Sequence, residues 1–393
     1  IGSIVAGAAS GLMTLQYGLR GPMTLAALLF ALGCAISALA PEMWVVLVGR
    51  LFQGLGGGGL MAMAFVAVSL LFPRRLTARA LGAISTLWGV SAFIGPDDLI
   101  VAPHDCYGGT YRLFNTRAQK GDFKVLFVDQ SDEQALADAL AQKPKLILLE
   151  TPSNPLVRVV DIAKVCAQAK QIGALVAVDN TFLTPVFQKP LELGADFVIH
   201  STTKYINGHS DVIGGVVITK TAEHAEELAW WGNCIGATGT PFDSYMTLRG
   251  IRTLGARMKV HEESSQHILT YLNEQELVGT IYHPSLPSHP GHEIAKKQQS
   301  GFGSMLSFEF AGSFEQLKFF VGELELFSLA ESLGGVESLI CHPASMTHRA
   351  MGEQALAEAG VTQQLLRLSV GLEDSEDLIA DLEQAFNKAK EAF

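Results

Sequence analysis

Lys204 stands where a lysine is costly to keep. It lies in DFVIHSTTKYINGHS, just past the apolar run 196–200, with Ser201, Thr202 and Thr203 on one side and Tyr205 on the other. Burying an ammonium is unfavourable unless the group is paired or made neutral. A lysine held that way is what covalent chemistry on a carbonyl carbon requires. Other polar groups follow similar apolar runs. Asn154 comes after KLILLE, and Asp179 closes ALVAVD, 25 residues ahead of Lys204 (179 to 204) and just before Asn180. An amide, a carboxylate, hydroxyls and an amine after successive apolar runs could together move protons at one substrate.

The surrounding segments must bring those groups together. KVLFVD (124–129), KLILLE (145–150), ALVAVD (174–179), ADFVIHS (195–201) and GGVVITK (214–220) read as strands. Between them DEQALADALAQK, DIAKVCAQAKQIG and the short LELG read as helices. That alternation implies βαβ units and a mostly parallel sheet. In such sheets ligands bind beyond the carboxyl ends of the strands, which is where the polar groups fall. Further on, 253–273 is helical in pattern, GFGSMLSFEF (301–310) alternates like a half-buried strand, SFEQLKFFVGEL is helical and LLRLSVGLE (365–373) is a strand. The chain closes on an amphipathic helix with acids first and lysines last, as the helix dipole favours. This last part reads as a smaller α+β domain. His200, His209 and Cys106 read as core or turn filling, and Trp230 and Trp231 as packing for the helix leaving the large domain.

At 393 residues more than one core is expected. A net charge of −11 without a basic stripe excludes a nucleic-acid surface. Five scattered cysteines, with no C-x-x-C pair, give neither a zinc pattern nor a disulfide framework and read as reduced, intracellular thiols. Charge is unevenly spread. Up to Pro96 five arginines stand against one glutamate, a net +4, so the remainder carries −11 − 4 = −15. The early part holds apolar stretches at about 4–17, 22–39, 43–72 and 80–96. A membrane-crossing helix needs about 20 mostly apolar residues, so about four transmembrane helices are expected over 1–96. Arg20, Arg74, Arg75 and Arg79 then share the cytoplasmic side and Glu42 lies outside, with Arg50 inside a span. The glycines of 54–59 serve close helix packing, since no Gly-Lys-Ser/Thr follows for phosphate. The chain begins at Ile1 and reads as a fragment, with two kinds of protein meeting near residue 96.

Both parts resemble known families. GRLFQGLGGGG (49–59), FPRRLTARALG and the Gly-Pro at 95–96 resemble major facilitator drug-efflux transporters, which makes Arg50 the transporter motif's arginine by position. The resemblance covers about a third of one such protein, so transport is not expected. SNPLVRVVDI, AVDNTF and STTKYINGHSD resemble the Cys/Met-metabolism family of pyridoxal-phosphate enzymes, over about 97–393. That implies an α/β fold of the PLP-dependent transferase-like (aspartate aminotransferase, fold type I) class, lacking its N-terminal part. The implied domains are 1–96 (transmembrane, all-α), 97–250 (cofactor-binding) and 251–393 (α+β).

The resemblance also implies roles. Lys204 would bind pyridoxal 5′-phosphate covalently and then shuttle protons, Asp179 would bond the ring nitrogen and Tyr107 would stack on the ring. Ser201 and Thr203 would reach the phosphate, and Asn154 the ring oxygen and substrate carboxylate. Arg367 would bind the α-carboxylate, with Ser332, Glu331 and Arg112 lining the substrate pocket. PHDCYGGTYRLF, LAESLGGVESL and FDSYMTLRGIRTL point to γ-replacement, joining an O-acyl-homoserine (O-succinyl-L-homoserine) to L-cysteine in methionine biosynthesis by transsulfuration; cystathionine γ- or β-cleavage is the alternative. Family members are homotetramers built from dimers that share active sites. The glycine turn for the phosphate, and a tyrosine and arginine offered to a neighbouring subunit, lie in the part not matched. The enzyme part is expected in the cytoplasm and the whole chain, through 1–96, at a membrane. A join of a transporter piece to a truncated, inactive enzyme is the reading from another class.

Overall fold

The computed structural model describes residues 20–56 and 93–393. The chain forms two compact units, Ile1–Gly82 and Ala83–Phe393. In the first, a helix spans Arg20–Ala38 and helical backbone resumes over 43–56 after a break at Ala40–Pro41. The two pack with backbones close together: a Cβ on Gly56 would meet the main chain of Ala26 and Phe30, so only glycine fits there. Arg50 is exposed and donates to Gln53 Oε1 at 2.9 Å.

The described residues give the expected membrane spans no support. Among the described residues no helix is long and apolar enough to cross a membrane. The described part of this helix covers Arg20–Ala38, 19 residues. The expected spans at 4–17, most of 43–72 and 80–96, together with Arg74, Arg75 and Arg79, lie outside the described residues.

The second unit is built on two sheets. The larger has the order β2-β1-β3-β4-β5-β6, with β1 Leu99–Pro103, β2 Lys124–Val128, β3 Leu146–Glu150, β4 Leu175–Asp179, β5 Phe197–Ser201 and β6 Gly215–Thr219. All neighbours run parallel except β5 and β6. Burial on both faces explains the unbroken apolar runs. Ile147 and Leu149 of β3 join the core beneath the helices Glu133–Ala141 and Ile162–Ile172, while Leu146 and Leu148 join Phe114 and Phe123 on the other face. The helices carry their own stop signals: Asp132 and Asp161 accept backbone N–H groups at the N-termini, and Gly173 closes Ile162–Ile172 at φ +72°.

The smaller sheet runs β7-β8-β11-β10-β9, with β7 Val278–Tyr282, β8 Met305–Phe310, β9 Ser328–Leu329, β10 Leu339–Cys341 and β11 Leu365–Ser369. β8 is buried on both faces, not one: Leu306, Phe308 and Phe310 pack with Ile268 and Leu272 of the helix Leu254–Leu272 and Leu382 and Phe386 of Ser375–Ala392, while on the other face Met305 packs with Tyr205 and Met258 and Ser307 donates to Pro155 O.

Two expectations fail locally. LELG forms turns instead of a helix, closed by Gly194 at φ +111°. Trp230 and Trp231 do not pack inward: they are 60% and 36% exposed and meet each other edge to face, centroids 5.0 Å apart. Their helix, Ala222–Ile235, follows the edge strand β6 and buries no residue.

Candidate active site

The polar residues gather beyond the carboxyl ends of β1, β3, β4 and β5. Strand order turns back between β1 and β3, since the chain passes from β1 outward to β2 and then to β3 on the other side. That crevice is where open α/β sheets bind ligands.

Lys204 sits in a wide turn over Thr202–Ile206 directly after β5, closed by the Asn207 N–H on Thr202 O at 3.0 Å. Its own backbone departs from helical geometry at φ −90°, ψ −136°. The turn is clamped from outside. Arg257, buried in Leu254–Leu272, donates to Tyr205 O at 2.7 Å and to Ile206 O at 3.3 Å. Tyr205 is fully buried, its hydroxyl 2.8 Å from Ser304 Oγ. Nζ of Lys204 donates to Ser332 Oγ at 3.0 Å. Burial, and secondarily the Arg367 charge, hold the Lys204 ammonium down to about 8.

Arg367 rises from β11 and is 1% exposed. It donates to Asn154 Oδ1 at 2.8 Å, Ser332 O at 2.9 Å and Glu331 O at 3.2 Å. All three are neutral acceptors. Its Nε is buried without a partner, and no ion pair to Arg367 is found among the described residues. A buried guanidinium with no anion is an incomplete site. Ser332 thus touches both buried cations, with its hydroxyl on Lys204 and its carbonyl on Arg367.

Asn154 is 4% exposed, and its carbonyl lies 3.0 Å from His348 Nε2. Burial pushes His348 down to about 4, so the neutral ring donates from Nε2 and accepts from Thr347 at Nδ1. Asp179 ends β4 and accepts the N–H and hydroxyl of Thr181, both on Oδ1. Burial raises its pKa.

Tyr107 caps the helix Gly108–Gln119 and keeps 37% of its surface exposed over the cleft-side loop. Arg112 stands one turn further along that helix and acts electrostatically on Tyr107. Glu331 is exposed, and its charge favours the protonated form of Lys204. Ser201 is half-buried with no side-chain hydrogen bond, whereas the Thr203 hydroxyl is engaged by Gly214, accepting its N–H at 3.0 Å. Lys204, Ser332, Arg367 and Asn154 are therefore linked by direct hydrogen bonds. Asp179, Tyr107 and Ser201 share the same sheet end without bonding to them.

Two further groups belong to this cluster. Glu150, the last residue of β3, is 7% exposed and stands opposite Asp179 in the β3–β4 ladder. Burial first, then the Asp179 charge, raise its pKa, while the N–H groups of Tyr107 and Asn154 on its oxygens favour the ionised form. The signal was present in the sequence, where LILLE and LVAVD both end an apolar run on a carboxylate. Cys341 pairs with Arg367 across the β10–β11 ladder and acts electrostatically on Lys204. Only the tertiary fold could place it. Cys106 and His200 are buried, as filling groups would be.

Comparison with known proteins fits this geometry. The Major Facilitator Superfamily profile matches residues 1–96, and the profile described as Cys/Met metabolism PLP-dependent enzyme matches 74–387. The chain is 60% identical over 315 residues to "Cystathionine gamma-synthase" of Escherichia coli K12, covering 78% of this chain and 82% of that protein. It is 47% identical over 292 residues to "Cystathionine beta-lyase" of Coxiella burnetii, covering 74% and 76%. Among solved structures, cystathionine gamma synthase from Xanthomonas oryzae in complex with aminoacrylate and cysteine superposes with TM-score 0.77 at 52% identity, covering 78% of this chain and 81% of that one. From sheet order to lysine turn, the chain belongs to the Cys/Met metabolism PLP-dependent enzyme family.

Proposed function

We propose that this chain catalyses a γ-replacement, joining L-cysteine to an O-acyl-homoserine, O-succinyl-L-homoserine in the first instance, to give L-cystathionine and the free acid. One observation carries it. The Lys204 amine and the Arg367 guanidinium converge on Ser332, so an α-amino acid placed there meets a base and a carboxylate fork at once.

The family's cofactor suits what the residues lack. A lysine amine held down to about 8, the carboxylates of Glu150 and Asp179 with no ion pair among the described residues, and a hydroxyl at Ser201 fit a phosphorylated aldehyde on a cationic ring. When bound, pyridoxal phosphate supplies an electron sink that lets protons leave the carbons next to the amino group. Lys204 holds it covalently, then accepts the substrate's Cα proton at Nζ and returns protons to later carbons. Asp179 keeps the ring nitrogen protonated. Arg367 orients the substrate through its carboxylate, while Asn154 aims that guanidinium. Tyr107 would cover the ring face, Ser201 and, once freed from Gly214, Thr203 would offer hydroxyls to the phosphate, and Arg112 and Glu331 would edge the pocket. Overall the Cγ–O bond breaks, a Cγ–S bond forms and the thiol proton leaves with the carboxylic acid.

The test is direct. With pyridoxal phosphate and O-succinyl-L-homoserine, cysteine-dependent formation of cystathionine and succinate supports the proposal. Keto acid and ammonia formed equally without cysteine would overturn it in favour of a cleaving enzyme, the activity named for relatives at 45% and 47% identity.

A further inference from the structure

Glu150 is the last residue of the strand next to the crevice, and its carboxylate faces the loops that leave β1 and β3. Oε2 accepts the backbone N–H of Tyr107 at 2.8 Å, and Oε1 accepts that of Asn154 at 3.0 Å. Those loops carry two different parts of the site. Tyr107 begins the helix after β1, and Asn154 aims Arg367 from the turn after β3. Asp105 ties the same two loops further from the crevice, accepting from Ser153 Oγ at 2.7 Å and Arg158 Nη1 at 3.1 Å, but among the described residues only Glu150 accepts backbone N–H groups from both. On its other side Glu150 is level with Asp179 in the ladder.

We infer that Glu150 is a positioning residue: one carboxylate fastens the Tyr107 loop to the Asn154 loop across the crevice and thereby fixes the ring-facing tyrosine relative to Arg367 and Asp179. The chemistry of the group explains why it is a carboxylate. Two N–H donors from separate loops need two acceptor oxygens on one rigid plane. A carboxylate offers both, whereas a glutamine offers one oxygen and turns its NH₂ toward the second N–H. A buried N–H left without an acceptor is unfavourable, so one loop must move. Aspartate keeps both oxygens but is shorter by one methylene and cannot span both loops from the same backbone. The residue touches neither substrate nor reacting atoms. Its effect passes through Tyr107 and Asn154, and its catalytic significance rests on the proposed function.

Amide hydrogen exchange of the full chain without cofactor reads the clamp by itself. In Glu150→Gln, peptides covering Tyr107 or Asn154 should exchange at least about tenfold faster than in the unchanged protein, with the core of β3 protected as before. The loaded proteins then read the consequence. The circular dichroism of the lysine-bound chromophore, which reports ring tilt, should fall by about half, and kcat should drop roughly 10- to 100-fold with KM within about threefold. Glu150→Asp should loosen one segment and restore part of the dichroism. Unchanged exchange at both peptides in Glu150→Gln overturns the inference. Should that variant fail to fold, unchanged exchange and dichroism in Glu150→Asp overturns it equally. Faster exchange with no chromophore even in the unchanged protein upholds the clamp and removes the proposed function instead.

Discussion

Lys204 and Arg367 set the chemistry residue by residue. A free lysine is almost wholly protonated at pH 7, but with a value near 8 about a tenth of Lys204 is the neutral nucleophile there. Attachment of pyridoxal phosphate, followed by its visible band, should quicken about tenfold per pH unit below 8 and level off above it. A rate still climbing at pH 9.5 would contradict that environment. The same shift has a stability sign. The folded-state value lies below the unfolded one, so the buried ammonium costs stability below pH 8, and the cost fades as pH rises toward the unfolded value. Arg367→Lys keeps a positive charge but loses the fork, and should lower kcat/KM about 100-fold, mostly through KM. An unchanged KM would remove the carboxylate role. Lysine, aspartate and arginine could be placed from the sequence because their flanking runs are intact. Glu150 was visible as a carboxylate ending an apolar run, but its bonds to Tyr107 and Asn154 come from the fold alone, and Cys341 was hidden by a pairing between β10 and β11 that no local pattern encodes.

At the scale of elements, the lysine turn depends on a neighbouring helix. Gly208 follows it at φ +76°, and a side chain there would fall on the Arg257 guanidinium that holds the turn's carbonyls. Gly208→Ala should cost about 1–3 kcal/mol in urea unfolding and slow cofactor attachment. Wild-type stability and rate in that variant would show the clamp to be incidental. The βαβ segments were readable because strands buried on both faces and capped amphipathic helices leave distinct periods. LELG misled because its helix-forming composition is outweighed by a turn that a positive-φ glycine closes. The tryptophans misled because aromatic residues imply burial only when something covers them, and their helix lies beside an edge strand.

At the scale of the molecule, both sheets and every residue of the candidate enzyme site lie within Ala83–Phe393. The compositional break near residue 96 suggested two kinds of protein; the two profile matches, 1–96 and 74–387, overlap across 74–96, and the compact units divide at Gly82. The membrane spans expected from apolar composition fall mostly outside the described residues, and no described helix is long and apolar enough to cross a membrane. Removing residues 1–82 should therefore leave cofactor attachment within about twofold of the full chain; its loss would show that the first unit completes the site. The most direct measurement is borohydride reduction of the full chain incubated with pyridoxal phosphate, followed by peptide mapping. The pyridoxyl group should appear on one peptide, the one containing Lys204, and disappear in Lys204→Ala. No trapped label, or a label spread over surface lysines and unchanged in Lys204→Ala, would contradict the central claim that Lys204 is the cofactor-bearing residue.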